Sequence, residues 1–433
     1  MASTYLTRTQ GTGTSTKIAT FSVWLKKAEN GSSYEPHIFD SFTDSSNRFS
    51  IGFEGDYFLL YNFTSGSNDI LLKSNRVFRD NNAFYNLVVK IDTTQATSSD
   101  RVKIWINGIE ETSFSSSTYP SQNLDIHFLK SSSGLNIGRY GGNTNAIHMF
   151  NGVMSHMHFI DGTAYDASAF GETDATTGEW KINTSPSVTY GTNGYFILKD
   201  GNSVTDQSGN GNNFTVGGGT LTNTEDNPSN VFATLNPLVP DAGSSGLYHG
   251  NNQFNVDTAN WRSAFSTLGM SSGKFYFESQ IQAGGYIQIG ARGVEQSDGS
   301  LAGNNDWIGV TSQGWSYDKA GEIRNNNSGV DSGKATYGNT DIIGCLLDLD
   351  NWTINWTKNG TLINSTAYSI TQNLTYVFGV SGHSTARILT NFGNGNFSST
   401  AISSAGTNAS GNGIFEFDVP TGYTALSTKG LNL

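Results

Sequence analysis

The chain has 433 residues, which at roughly 150 residues per domain gives room for two or three domains. Charged residues make up only 14% while aromatics reach 12% and glycines number 51, a profile that suits short strands and tight turns and suits helices poorly. The net charge of −12 argues against a nucleic-acid partner, which needs clustered Lys and Arg, and the single cysteine, Cys345, excludes an intramolecular disulfide.

The N-terminal stretch MASTYLTRTQGTGTSTKIATFSVWLKK has neither a basic region followed by an apolar run nor a span able to cross a bilayer. It reads as soluble, made without a Sec signal and without a membrane partner. Strands are predicted at IATFSVWLKK from Ile18, then at HIFDSF, RFSIGFEG, YFLLYNF and the unit Leu87 to Glu111. LNIGRYGG and NGVMSHMHFIDGTAY alternate in the same way, closing a first sandwich over 1–169, and ASAFGE suits a short helical turn. Residues 170–245 read as a bridge, with a hairpin of TNGYFILKD and NNFTVGG around DQSGNGN and with the Pro-containing EDNPSNVFATLNPLVP as linker. Two strands alone are marginal in water, so the hairpin is expected to add to a sandwich. A second sandwich is expected over 246–433.

One design occurs twice: an apolar strand, an acidic turn, a second strand and an Asn-Gly reversal. The copies are Leu87 to Glu111 and Ile342 to Ile363. Asn107-Gly108 and Asn359-Gly360 supply the two positive-φ residues that a type I′ hairpin turn demands. In the second copy Trp352, Ile354 and Trp356 share one face, opposite Thr353, Asn355 and Thr357. The fold class is therefore all-β, with two antiparallel β-sandwiches in tandem.

GKFYFESQI (Gly273 to Ile281), YIQIGA, GWSYD (Gly314 to Asp318), TDIIGCLLDLDNWTINWTKNG and ILTNFG (Ile388 to Gly393) appear in an order that resembles the SPRY domain family. The resemblance covers about 270–395, implies a bent two-sheet sandwich with interaction loops at one end, and places Trp315 in the core. The first half, with TFSVWLKK, YNLVVKID, VKIWINGIE and FNGVMSHMHFIDGTAY, resembles concanavalin-like and laminin-G-like jelly rolls. This combination, with the DQSGNGNNF bridge and the ending FEFDVPTGYTALSTKGLNL, resembles structural proteins of marine tailed bacteriophages, especially phages of cyanobacteria. It implies a virion location on capsid or tail.

Catalysis is not expected. Asp348 and Asp350 precede a hairpin with no glutamate, Glu110 and Glu111 face opposite sides, and no Glu-x-Asp-x-x-Glu motif occurs. His148, His156 and His158 read as faces of paired strands, because two histidines without a carboxylate at ligand spacing are incomplete for zinc. Asp206 in DQSGNGN is a weak calcium candidate, outweighed by a turn whose Asx side chains satisfy the backbone; no other cofactor is expected. Aromatics beside amides near turns suit sugars, which marks Tyr140 with Asn143 and Asn145, and Trp307 with Asn304, Asn305 and Asp306. Trp307 also suits a core position at the start of a strand. The expected function is a phage virion protein, a knob or tail-fibre-type subunit binding a host surface glycan or receptor through its loops by multivalent weak recognition. The competing reading is a capsid decoration protein that binds other virion proteins and no sugar. A homo-oligomer is expected under either.

Overall fold

A computed structural model describes residues 4–31, 33–199, 203–237, 245–294 and 306–433. Its described residues form strands, turns and single 3-10 turns, with no α-helix. The chain divides into two compact units, 1–223 and 224–433. Each is a sandwich of antiparallel sheets, as the alternation of apolar residues requires.

In the first unit an eight-stranded sheet runs Phe114–Thr118, Ser67–Val77, Tyr57–Thr64, Asn47–Glu54, His37–Asp44, Gly134–Ile137, Tyr5–Thr9 and Thr215–Gly218. The facing sheet runs Tyr195–Ile197, Gly152–Asp161, Ile18–Lys27, Tyr85–Asp92, Val102–Ile106 and Ile109–Glu110. Their inner faces meet in one core holding Phe21, Val23, Phe49, Ile51, Leu60, Val89, Ile104 and Phe159. Because successive strand residues alternate faces, Phe49 and Ile51 enter this core while Arg48 and Ser50 stay on the outer face of the eight-stranded sheet.

The second unit repeats the plan. One sheet orders Ser245–Tyr248, Gln253–Val256, Ala386–Asn391, Lys274–Ala283, Ile342–Asp348, Thr353–Lys358 and Thr361–Leu362. The other orders Arg262–Phe265, Thr375–His383, Tyr286–Val294, Gly314–Asp318, Ile323–Asn325 and Ser328–Asp331. Phe277, Ile289, Tyr317, Cys345, Leu347, Ile354, Trp356 and Phe378 fill the space between them. Trp356 is fully buried and its indole N–H donates to the Ile289 carbonyl at 2.9 Å, so its one polar atom is satisfied inside the core. Burial pushes the Cys345 thiol up, in keeping with a small apolar filler. Trp315 is half-buried and packs on this core from beside Tyr368. Trp352 sits in the turn at φ 54° rather than on the strand, and also reaches the core edge.

Both predicted Asn-Gly turns form. Asn107 and Gly108 take φ of 49° and 75°, and Asn359 and Gly360 take 47° and 79°. The asparagine in each copy also ties the hairpin back to the start of the preceding strand. Asn107 exchanges two hydrogen bonds with the Asn86 backbone, and Asn359 does the same with Ile342, at 2.7–2.9 Å.

The bridge is organised differently from the sequence expectation. Tyr195–Ile197 pairs with Gly152–Asp161 in one sheet, while Thr215–Gly218 pairs with Tyr5–Thr9 in the other. The two strands expected as a hairpin thus extend opposite sheets of the first sandwich, where each gains a longer partner than the other could offer. Phe170, Trp180, Val188 and Tyr190 also cover the outer face of the six-stranded sheet over Val88, Trp105 and Ile160. The Pro-containing stretch is not a free linker either. Phe232, Ala233 and Leu235 are buried in the second unit, and the drive to bury these side chains outweighs the local preference of Pro and Asn for an open chain.

Candidate functional site

Four aromatic side chains of the second unit, Tyr286 and His383 at the ends of paired strands and Trp261 and Trp307 outside the strands, form one contiguous patch. The Trp261 ring centroid lies 5.6 Å from Trp307, 5.6 Å from His383 and 6.4 Å from Tyr286, and Tyr286 meets His383 edge-on at 5.5 Å. Tyr286 is 66% exposed, an unusual cost for a large ring unless it meets a partner. The other three are half-buried.

Local sequence explains each position. Gly284-Gly285 precedes Tyr286, and a side chain on Gly285 would lie 1.9 Å from the His383 carbonyl oxygen. Only glycine lets this turn close on the neighbouring turn, and the closure sets Tyr286 directly opposite His383 in the strand register. After His383 the chain reverses through Ser384 and Thr385, both left-handed at φ 54° and 61°. A β-branched residue in that region costs about 1–3 kcal/mol, the kind of strain that persists where geometry serves a site. The Ser384 hydroxyl reaches His383 Nδ1 at 2.7 Å and fixes the ring.

Trp307 is anchored from below. Arg292, 3% exposed, makes a two-pronged ion pair with Asp306 at 2.8 and 2.9 Å and donates further to the Trp307 and Ile308 carbonyls. Ser263 donates to the Asp306 carbonyl at 2.9 Å, and Ser381 accepts the Ile308 N–H at 3.0 Å. The predicted Asp306 is therefore spent on Arg292 and is not open to a sugar hydroxyl. Trp307 joins the patch instead of sitting in the core, while Asn304 and Asn305 lie outside the described residues. Trp261, Tyr286 and His383 were not singled out from sequence. Nothing local marks them, since the patch exists only once two strand ends and two other segments converge.

The predicted residues of the first unit have other partners. Tyr140 stacks on His37 at 4.8 Å, meets Phe42 at 5.2 Å and His148 at 5.6 Å, and its hydroxyl accepts from Arg48 at 3.4 Å. Asn143 and Asn145 are exposed, but their side-chain oxygens accept the N–H groups of Asn145 and Ile147 and so shape their own loop. Both Asp206 oxygens accept hydrogen bonds, from the N–H of Phe196, Ser208 and Asn212 and from the Ser208 hydroxyl. Those donors occupy the lone pairs that a calcium ion would need, and the side chain shapes its own turn as an Asx residue does. His156 and His158 rest on Phe196 at 5.8 and 4.0 Å, and His158 Nδ1 meets the Tyr190 hydroxyl at 2.9 Å. Burial lowers the His158 pKa well below its ordinary value, leaving a neutral packing group.

The second unit is thus an antiparallel sandwich that presents an aromatic surface at converging strand ends and loops. Residues 274–395 match the family model described as SPRY domain, and this stretch is a SPRY domain. A probable ATP-dependent RNA helicase, ddx1, of Dictyostelium discoideum is 34% identical over 103 residues, 24% of this chain and 12% of that protein. ATP-dependent RNA helicase Ddx1 of Drosophila melanogaster is 35% identical over 101 residues, 23% of this chain and 13% of that protein. The chain spans about an eighth of the length of these curated relatives. Among solved structures, the SPRY domain of human HERC1 is similar at 15% identity and a TM-score of 0.29, covering 36% of this chain and 96% of that one. A human SPRY domain is similar at 16% identity and a TM-score of 0.28, covering 34% and 94%.

These relatives correct the reading of the chain as a phage virion subunit, adhesive or capsid-decorating. The stretch that carries its most specific motifs is shared with RNA helicases of two eukaryotes. The physical reason is that Phe277, Cys345, Ile354 and Trp356 are core positions of a scaffold, and a scaffold does not specify where it is used. The Asn, Ser, Thr and Gly content reflects tight turns in the same way.

Proposed function

We propose that the chain acts by binding rather than catalysis, and that the SPRY unit recognises an extended, weakly charged segment of a partner protein through Trp261, Tyr286, Trp307 and His383. The observation that carries this reading is the patch itself, with a 66% exposed tyrosine among three further rings whose backbone is held by the Gly285 turn and the Arg292–Asp306 pair. Clustered Trp and Tyr are the residue types that dominate interface energies, and a preformed surface avoids ordering costs on binding. The charges around the patch favour a weakly charged partner. Arg292 is neutralised by Asp306, Arg387 by Asp257 at 2.6 Å, and the Lys319 ammonium is turned onto the Gly284 and Gly285 carbonyls. The match to the helicase relatives spans only 101–103 residues of this chain, and the proposal is confined to binding.

The test is selection of a random displayed peptide library on the full chain, repeated with Tyr286→Ala and Trp261→Ala. The expected result is a consensus enriched by the wild type whose retention drops about tenfold or more in each variant. Absence of a consensus, or one retained equally by both variants, contradicts the proposal.

A further inference from the structure

On the reading that the aromatic patch binds a protein segment, the strands beneath it decide how that segment lies. Tyr286–Val294 pairs with Thr375–His383 on one side and with Gly314–Asp318 on the other, and Thr375–His383 pairs in turn with Arg262–Phe265. Tyr286 and His383 therefore belong to interior strands, whose backbone groups already face a neighbour. Arg262–Phe265, next to Trp261, ends the sheet, but its outer side is taken along most of its length. The Phe265 carbonyl accepts the Asn236 N–H at 2.7 Å, Ser266 bridges to Leu235, and the Ser263 hydroxyl holds the Asp306 carbonyl alongside. Among the described residues, no run of open backbone at the patch is long enough to pair with an added strand.

The rings are tilted against one another rather than stacked. Trp261 makes angles of 50° with Tyr286, 42° with Trp307 and 52° with His383, and Tyr286 stands at 78° to His383. Tilted rings leave shallow apolar notches where they meet, here at steps of 5.6 and 6.4 Å from Trp261. Centroids 5.5–6.4 Å apart belong to rings in direct contact, so no cage stands open for a methylated ammonium, which needs aromatic faces around it on several sides. Tyr286, the most exposed of the four, offers its hydroxyl as a donor to a partner's carbonyl.

We propose that the segment taken by this patch is proline-rich and is bound as a polyproline II helix. That conformation has no internal hydrogen bonds and keeps its carbonyls on the outside, so it loses nothing where no strand edge is offered. It rises about 3.1 Å per residue, which sets residues two apart about 6 Å from each other, close to the ring steps. A β-strand at about 3.3 Å per residue would match those steps as well, but it would press unmet N–H groups against apolar rings. Proline has no N–H to leave unmet, and its fixed φ lowers the ordering cost of binding. Its neutral ring also suits a surface whose nearby arginines, Arg292 and Arg387, are already paired with Asp306 and Asp257.

The experiment exposes the full chain to two displayed peptide libraries that differ only at two central positions, fixed as Pro-x-x-Pro in one and Ala-x-x-Ala in the other, beside the fully random library. Binders are expected from the proline library and not from its alanine counterpart. A synthetic copy of one binder is expected to lose about tenfold or more in affinity when alanine replaces its prolines, and about as much against Tyr286→Ala. The change in the peptide leaves the protein untouched, so that arm does not depend on the folding of a variant. Binders drawn equally from both libraries, or an alanine copy that binds as well as the original, overturn the proline-rich segment; if those binders still fall away on Tyr286→Ala, the patch stands as a binding surface. If no library yields a binder, or if binders ignore both Tyr286→Ala and Trp261→Ala, the patch itself fails and the proline-rich partner falls with it.

Discussion

The two sandwiches carry the same hairpin and put their chemistry in different places. In the first unit the Asn107-Gly108 turn is covered by Trp180, and in the second the Asn359-Gly360 turn is covered by Phe417; a side chain at either glycine would lie 2.4 or 2.8 Å from the covering ring. Each glycine thus abuts a ring on one side, although Asn359 and Gly360 stay exposed on the other. The difference lies in the arginines. Arg292 of the second unit is buried and paired with Asp306 beneath the aromatic patch, whereas Arg48 and Arg139 of the first lie on a sheet face and form no ion pair among the described residues. A shared scaffold therefore says little about function, and the placement of a few polar groups around it says more.

Four substitutions sharpen that contrast. Arg292→Ala empties a buried position and leaves the half-buried Asp306 and the Trp307 and Ile308 carbonyls without their donor, and denaturant unfolding is expected to show a loss of about 3 kcal/mol. Arg48→Ala, which breaks no ion pair, is expected to stay within about 1 kcal/mol of the wild type. A result with Arg48→Ala as costly as Arg292→Ala would break the contrast. Next come the glycines. Gly108→Ala combines φ 75° with a contact of 2.4 Å to Trp180 and is expected to cost about 2 kcal/mol or more, with Gly360→Ala somewhat less because Phe417 stands at 2.8 Å. Equal losses would mean that backbone strain alone decides both turns.

The third effect is on pH. Glu278 is fully buried in the second unit, where its carboxylate clasps the C-terminal stretch by accepting the N–H groups of Glu416 and Phe417 at 2.8 and 2.9 Å. Burial outweighs these bonds and raises its pKa from 4.5 to about 7. The folded chain then holds the proton more tightly than the unfolded one. This contribution is whole below about pH 4.5 and is lost as pH rises through about 7. Asp40 gives the first unit the same sign over the interval from 3.8 to about 7. Glu278→Gln is expected to flatten the decline in stability of the second unit while leaving that of the first, as thermal unfolding at several pH values would show. Last and smallest, Asn107→Ala removes a side-chain bond to a strand start and is expected to cost about 1 kcal/mol, with Asn359→Ala somewhat more because Asn359 also donates to Asp341 at 2.8 Å.

Much of the scaffold was legible because its signals are local. Asn107-Gly108 and Asn359-Gly360 need only their own backbone preferences, and the ordered motifs from Gly273 to Gly393 record a core that repeats residue by residue. The bridge was legible only in part. Strands at Tyr195 and Thr215 could be read, but their partners Gly152–Asp161 and Tyr5–Thr9 are chosen by long-range burial that a turn-rich intervening sequence does not encode. Of the predicted site residues, Trp307 lies in the aromatic patch and Asp306 pairs with Arg292, a partner invisible in the sequence because it sits on a different strand. Trp261, Tyr286 and His383 come together only where strand ends and loops converge, and the close approach that Gly285 permits is invisible until the neighbouring turn is in place.

The most direct test of the central claim is the affinity of one selected peptide for three forms of the full chain. The account predicts a loss of about tenfold or more in Tyr286→Ala and no change in Tyr140→Ala, since only the first alters the SPRY patch. Equal affinity for all three, or a loss confined to Tyr140→Ala, would contradict it.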